Sequence, residues 1–551
     1  MNEIIPLPTL EVPVHSRRSL LLAAAGGLVA GCGGGGGGGG DTPAPGGLPT
    51  LPRPPVVPVD GPAWAGFGGN AQHSALGAIA TQSMVGFYWY TPLDMAPQLS
   101  NGSLLTHYGS PVITRHNTVV VPVKTGATDG FRVDARIGAT GDLIWSLNSD
   151  YILPPHRWIP SFNPVLTQPN TGLASRLFMP ASGGRVLVRV DPDGAVRASS
   201  ALAFYDSVAP YASAAATFDA TVFVNTPLTA DSVGNVFFGF VVTGVNPAGL
   251  TGGGIVRISA GGAMSWVLAS AATSDAGIVK PATNSAPALS VDESTLYVVL
   301  NAVVPAGSRA AGRLVALDAS TLVTKNQVAL TDPATGTAAW ISDDATSSPL
   351  VGPDDDVYIG VLESATQSHN FRGWLLHFNS ALQPKTPGSF GWDNTPSIVP
   401  KAMVPQYTGT STYLLLTKYN NYLGAGTGDG KNRMAILDPN DLTQADPITV
   451  IPTVTVMKEV ITILGPTSEA GGPAGSVREW CVNTAAVDPF TKSVLVNSED
   501  GTLYRWDLPS NSFSERIAMN AGVAQSYTAT AIGPDGRIYA VNNAILHSIG
   551  Q

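Results

Sequence analysis

The sequence is poor in the residues that most often announce chemistry. Only two of its 551 residues are cysteine, Cys32 near the N-terminus and Cys481 far along the chain, so no disulfide framework can be drawn. If Cys32 is modified, Cys481 is left as a free thiol, most simply a small buried apolar residue. Charged residues make up 12% of the chain, too few for long amphipathic helices with Glu, Lys and Arg on their wet faces. Lys and Arg (29) are outnumbered by Asp and Glu (39), for a net charge of −10, and the basic residues do not cluster. That excludes a phosphate-tracking groove and a nucleic-acid partner. The eight histidines lack metal-ligand spacing, and no Gly-x-Ser-x-Gly nucleophile elbow or paired-carboxylate motif stands out. The stretch 418–430, from Lys418-Tyr419-Asn420-Asn421-Tyr422 through the glycine-rich run 424–430, lacks the Gly-Lys-Ser/Thr of a phosphate loop and leads into a strand, so it is expected to be a flexible rim loop.

What the chain does have is apolar and turn-forming: 44% hydrophobic residues, 61 Gly and 44 Pro. This balance suits many short strands joined by tight turns. It also supplies enough apolar surface for packed cores beyond the first sixty residues.

The N-terminus carries the sharpest signal. Arg17-Arg18 precede an apolar stretch of about a dozen residues, short for a spanning helix, which reads as an export signal. It ends in Val29-Ala30-Gly31-Cys32, which resembles the bacterial lipobox, where small residues admit the signal peptidase and the cysteine thiol takes a diacylglycerol. The arginine pair followed by Ser19-Leu20-Leu21 also resembles a twin-arginine signal, which would imply export of a folded chain. Gly33–Gly40 and a proline-rich run to Pro62 read as tether and spacer. The expected organisation is a lipoprotein signal peptide over 1–31, a Gly/Pro-rich tether over 32–62 and one folded domain over 63–551. Gly33 after the cysteine, in place of Asp, points by the lipoprotein sorting rule to the outer membrane, facing the periplasm.

Within that domain a unit recurs: a small or polar residue, often Pro, with two apolar residues, then a β-rich run, an alternating run closing on Asp or Gly, a turn and a final strand. Its starts are at Ser110, Asn163, Thr226, Ser285, Ser348, Thr395, Thr484 and Thr528. The spacing is roughly 45 to 65 residues, the period of a four-stranded propeller blade with loop insertions, except for one interval of about 90. That interval holds 448–475, expected to be an inserted loop or hairpin. The eighth unit stops at Gln551 after its third strand, and residues 85–90 form a spare strand with no unit of its own. Joining the two would remove both open edges. The expectation is therefore an all-β, eight-bladed β-propeller, a monomer, closed by an N-terminal strand completing the C-terminal blade.

Residues 64–74, Trp-Ala-Gly-Phe-Gly-Gly-Asn-Ala-Gln-His-Ser, and the stretch from Val133-Asp134-Ala135 through Gly138-Ala139-Thr140-Gly141-Asp142-Leu143-Ile144-Trp145 resemble the quinoprotein-like propellers, the PQQ-type repeat family. The first segment is similar to the one leading into that family's first blade. The second is similar to its repeat signature, with Gly138 where an Asp is usual. The family holds quinone-dependent alcohol and sugar dehydrogenases as well as non-catalytic lipoproteins that scaffold outer-membrane assembly, so the resemblance implies the fold and leaves function open. The adjacent cysteine pair with which alcohol dehydrogenases commonly clamp their cofactor is absent here.

In a propeller the segments leading into the innermost strands converge at one mouth of the central channel. Here they are polar and aromatic: His107-Tyr108, His156-Arg157-Trp158 with Ser161 and Asn163, Lys280 with Asn284, Asp343-Asp344, Trp392-Asp393-Asn394, Arg478-Glu479-Trp480, and Gln525 with Tyr527. One reading is a funnel for a small polar ligand or a divalent ion, with Trp158, Trp392 and Trp480 as flat walls and Asn284, Asp393 and Glu479 as oxygen ligands. The other is that Arg478, Glu479, Asp343 and Asp344 form ion pairs holding neighbouring blades together. The sequence favours a lipid-anchored binding or scaffolding module with an envelope protein or a small polar ligand as partner. The alternative is an oxidoreductase of alcohols or sugars dependent on PQQ and calcium, with Asn284, Asp393 and Glu479 on the ion and Arg478 or Lys280 polarising the cofactor.

Overall fold

The central strand of each repeat is apolar on both faces, and this decides how the sheets stack. Thr118–Lys124 and Tyr413–Tyr419 are buried along their whole length, whereas the outer strand Ser512–Ala518 alternates exposed and half-buried positions with only Ile517 buried. A sheet with such a centre must be covered on both faces, and side-by-side packing around an axis does this for every sheet at once. In the computed structural model, which describes residues 49–551 except 101–102, 105–107, 157–159, 161, 169–173, 303–308, 343–346, 366, 451 and 521–525, eight antiparallel sheets form the blades of a propeller. Cys32, Arg157, Trp158, Asp343 and Asp344, with His107, Ser161 and Gln525, lie outside the described residues. Among the described residues no helix is long and apolar enough to cross a membrane.

The eight repeat starts lead into the innermost strands, from Val112–Ile113 and Val165–Thr167 round to Ala486–Asp488 and Ala531–Ile532. The aspartates closing third strands work as turn formers: Asp318 accepts the Ser320 hydroxyl at 2.6 Å and the amides of Ser320 and Thr321 at 3.0 Å each, and these bonds hold its carboxyl well below the ordinary range. Blade 5 has three regular strands. Its outer position is filled by the segment holding Pro384 and Pro387, which bridges Phe378 and Leu375 at isolated points because proline cannot sustain a ladder. The long interval in blade 6 corrects the expectation of an inserted loop or hairpin. Residues Thr455–Leu464 are that blade's own outer strand, paired with the 13-residue strand Arg433–Ala445.

The ring closes as expected. Gly86–Pro92 pairs antiparallel with Ile545–Gly550, Tyr90 opposite His547 and Thr91 opposite Leu546. Trp89 ties this seam to blade 1 by donating from its indole nitrogen to the Gly138 carbonyl at 2.8 Å, which also receives Arg537 at 2.5 Å. A Cβ at Gly138 would fall 2.3 Å from Asn117 Oδ1, and one at Gly141 (φ +76) would fall 2.6 Å from the Trp89 ring. The departure of Gly138 from the repeat signature thus has a steric cause. The free edge of the closing strand is itself covered: Leu51 N donates to Phe87 O at 2.7 Å and Phe87 N to Pro49 O at 2.8 Å.

Residues 64–77 form a hub at the axis, a feature without precedent in the repeat pattern. Innermost strands turn one edge to the channel, and their amides need acceptors. The hub supplies them in turn: Ile113 N to Trp64 O, Leu166 N to Ala65 O, Leu289 N to Ala71 O, Val351 N to Gln72 O, Ile398 N to Ser74 O and Val487 N to Ala75 O, all at 2.8–3.0 Å. These serve blades 1, 2, 4, 5, 6 and 7, and Gly77 packs on Ile532 of blade 8. The bonds fall where the innermost strands end, on the face of short turns. The chain reaches the hub from that same face, where Arg115 pairs with Asp60 at 2.6 Å and Gly61 N donates to Arg115 O at 3.0 Å.

Candidate binding site at the channel mouth

At the opposite face, where the innermost strands begin, short polar side chains knit each blade to the next. Ser110 N donates to Asn163 Oδ1 at 2.8 Å, Asn284 N to Asn225 O at 3.0 Å, Ala286 N to Ser348 Oγ at 2.9 Å and Ser348 N to Thr395 Oγ1 at 2.9 Å. Asn483 N donates to Tyr527 O at 3.3 Å, and Thr528 Oγ1 to Tyr108 O at 3.0 Å. The polarity of these segments is therefore largely structural: buried backbone at blade junctions needs partners, and Ser, Thr and Asn supply them in little space.

The predicted site residues separate against this belt. Asn163 and Asn284 belong to it, Asn284 in a left-handed conformation (φ +66). Lys280 is buried on the upper part of the innermost edge of blade 4, opposite Asn301. His156 sits on the rim beside an apolar cleft of about 610 Å³ floored by Leu153, Pro155, Ala220 and Phe223. Arg478 pairs with Glu469 of its own loop at 3.3 Å, so it does not bridge two blades, and Glu479, with no ion pair among the described residues, donates from its backbone N to Glu499 Oε1 at 3.3 Å. Trp480 is corrected from channel wall to core: 1% exposed, it packs edge-on to Tyr504 between blades 6 and 7. Its backbone is held by Asn420, which turns the indole inward.

What remains at the mouth is Asp393 with its surroundings. Asp393 lies in the loop before Ser397–Pro400 (φ +55), which Asn394 fixes to the next strand by donating to Thr417 Oγ1 at 2.9 Å. Trp392 stands half-buried beside it, its amide on the Arg372 carbonyl at 2.8 Å. The Asp393 carbonyl accepts the Tyr527 hydroxyl at 3.0 Å. The residue is 8% exposed, and among the described residues its Oδ1 has no hydrogen-bond partner. Burial pushes the group up to about 7, against the opposing pull of Lys418 and the Asn483 amide. Lys418, 3% exposed on Tyr413–Tyr419, holds its ammonium 5.1 Å from the centre of the Tyr527 ring. Lys418 and Tyr419, expected to open a flexible rim loop, instead end this buried central strand; a lysine closing an otherwise apolar run is the irregularity that could have marked the position.

This donor set does not fit calcium. The Lys418 ammonium acts on the buried carboxyl of Asp393 and would compete with a cation there, Glu479 belongs to a different loop beside Glu469, and Asn284 lies at the junction of blades 3 and 4, its N on Asn225 O. Among the described residues no three His, Cys, Asp or Glu side chains are placed to hold a metal ion. With Trp480 in the core, the described residues do not assemble the calcium-and-quinone site expected for the alternative reading.

No family model and no curated protein matches the chain. Among solved structures, a europium-containing methanol dehydrogenase matches at a TM-score of 0.52 and 9% identity, over 87% of this chain and 89% of its own. The quinohemoprotein alcohol dehydrogenase from Comamonas testosteroni matches at 0.52 and 11% identity, over 89% and 77%. The fold is the quinoprotein-like propeller. The Dos1 propeller is similar to the same extent, with a TM-score of 0.50, 11% identity and coverage of 86% and 95%. At these identities the quinoprotein-like propeller is a shared architecture and assigns no chemistry to this chain.

A second buried cluster lies between blades 5 and 6. Asp446 accepts from Ser389 Oγ, from His369 Nε2 at 3.2 Å, and from Thr449 N and Oγ1 at 2.6 and 2.7 Å, which holds its carboxyl far below the usual range. His369 stacks on Trp374 at 3.8 Å. Though it combines Ser, His and Asp, the serine donates to the carboxylate and all three are sealed from solvent. The cluster joins blades and is closed to any substrate.

Proposed function

We propose that the protein is a non-catalytic, ligand-binding propeller, held to the bacterial envelope by a lipid on Cys32, with its channel mouth turned away from the anchor. The observation that carries the binding role is the pair left over at the mouth. Many of the described polar groups there join blades, while Asp393 and Lys418 are both buried against Tyr527 and, among the described residues, Asp393 Oδ1 has no hydrogen-bond partner. Proteins rarely bury such groups without a use, because burial costs each charge its hydration. Support for the orientation comes from the tail, whose contacts with Arg115 and His116 are on the short-turn face. The test is a thermal-shift screen of small polar compounds on the purified protein, run beside an assay with added PQQ and calcium. The reading expects stabilisation by a polar compound that is lost in Asp393→Asn, with no calcium-dependent shift and no dye reduction with alcohols or aldoses. Dye reduction that requires both PQQ and calcium would return the oxidoreductase reading. Labelling with radioactive palmitate, abolished in Cys32→Ser, tests the anchor.

A further inference from the structure

The Asp393–Lys418 pair carries more than the existence of a site, because its two charges do not touch. Lys418 is close enough to pull on the Asp393 carboxyl, yet no ion pair within 4.0 Å joins them. Each is more than nine-tenths buried. Both contact Tyr527, whose hydroxyl donates to the Asp393 carbonyl at 3.0 Å and whose ring centre lies 5.1 Å from the Lys418 ammonium, and the Asn394–Thr417 bond ties the Asp393 loop to the strand that carries Lys418. A buried carboxylate and ammonium held apart have each paid desolvation without gaining direct contact, which is a poor arrangement for stability alone. It becomes a good one when a third body stands between them.

The charges define that body. A lone anion would satisfy Lys418 and be repelled by Asp393, and a lone cation the reverse. A neutral polyol would satisfy hydrogen bonds but leave both charges unpaired. A molecule with a cationic N–H at one end and a carboxylate at the other satisfies both and leaves the slot neutral. Half-buried Trp392 offers an apolar surface for the small body between those ends. We propose that the channel mouth binds a small zwitterion of the amino-acid type, its ammonium on Asp393 Oδ1 and its carboxylate on Lys418 Nζ. This rests on reading the mouth as a ligand site.

The experiment is calorimetric titration of the purified full-length fold with glycine and 4-aminobutanoate, which differ in charge separation, beside acetate, methylammonium and glycerol. It is repeated on Asp393→Asn and Lys418→Met, each checked for an unchanged far-ultraviolet spectrum, and either folded variant suffices. The expected result is binding of at least one zwitterion, preferred by about tenfold or more over every control and weakened about tenfold or more in each folded variant. Binding of glycerol or a singly charged probe as tightly as the zwitterions, and dependent on Asp393, would overturn the zwitterion while keeping the mouth as a ligand site. Zwitterion binding indifferent to both substitutions would remove it from this slot. Silence from every probe at about 10 mM would take both readings down.

Discussion

Mild acid should loosen this propeller at the two places where it is fastened. His547 sits on the closing seam, fully buried against Phe87 at 5.0 Å, with neither ring nitrogen hydrogen-bonded. His73 sits in the hub, its Nδ1 on the Pro349 carbonyl at 2.7 Å and its Nε2 without a partner. Burial drives both down to about 4 from 6.5. The unfolded chain therefore takes up a proton at each site near pH 6.5, and the folded chain only near pH 4. Stability from these groups is complete above 6.5, falls between 6.5 and 4, and falls no further below. Two pH units at each site amount to about 3 kcal/mol, so moving from pH 7.5 to 4.5 should remove on the order of 5 kcal/mol between them. His377, also lowered by burial but paired with Asp356, titrates in the same direction, so a variant is needed to isolate the seam. His547→Phe keeps the ring and removes the proton site. Urea unfolding should show it at least as stable as the parent at pH 7.5 and about 3 kcal/mol less sensitive to acid. Hydrogen exchange in the parent at pH 4.5 should quicken first in Gly86–Pro92. Asp393, raised to about 7 by burial, gains stability over the same range and offsets part of this loss in parent and variant alike, so the comparison between them decides: equal acid losses in the two would refute the argument.

Three further outcomes are expected. Trp89→Ala should cost about 3–5 kcal/mol in denaturant unfolding, because it empties the space between blades 8 and 1 and leaves the Gly138 carbonyl one donor short. Asp446→Asn should cost about 3–5 kcal/mol by the same measurement, since His369, Ser389 and Thr449 all converge on that carboxylate, and no loss of ligand binding should accompany it. The Asp393 carboxyl, followed by carbon-13 NMR, should titrate near 7 and move higher in Lys418→Met, because the ammonium is one of the forces holding it down.

The blades were legible because each innermost strand opens with the same small-residue or proline step and each central strand is a short apolar run; the closing strand was legible as a surplus that matched a deficit. The hub was not. Its bonds run through backbone carbonyls from Trp64 to Ala75, which any residue offers, and it has no period to detect. The site was half legible. Asp393 stood out as a charge in a chain short of charge, while Trp480 misled because polar neighbours on an extended segment face the other way. Lys418 was hidden because its relation to Asp393 exists only once two blades are side by side.

The hub and closing strand also set an order of events. Both are synthesised well before their mates, Val487 and the seam strand Ile545–Gly550, with Phe87 and its partner Ile549 roughly 460 residues apart. At about 5–20 residues per second, the early segments wait on the order of half a minute or more for their mates. The nascent chain must keep these strands from foreign partners throughout that time, so its assembly is a single late act and cannot proceed blade by blade to completion.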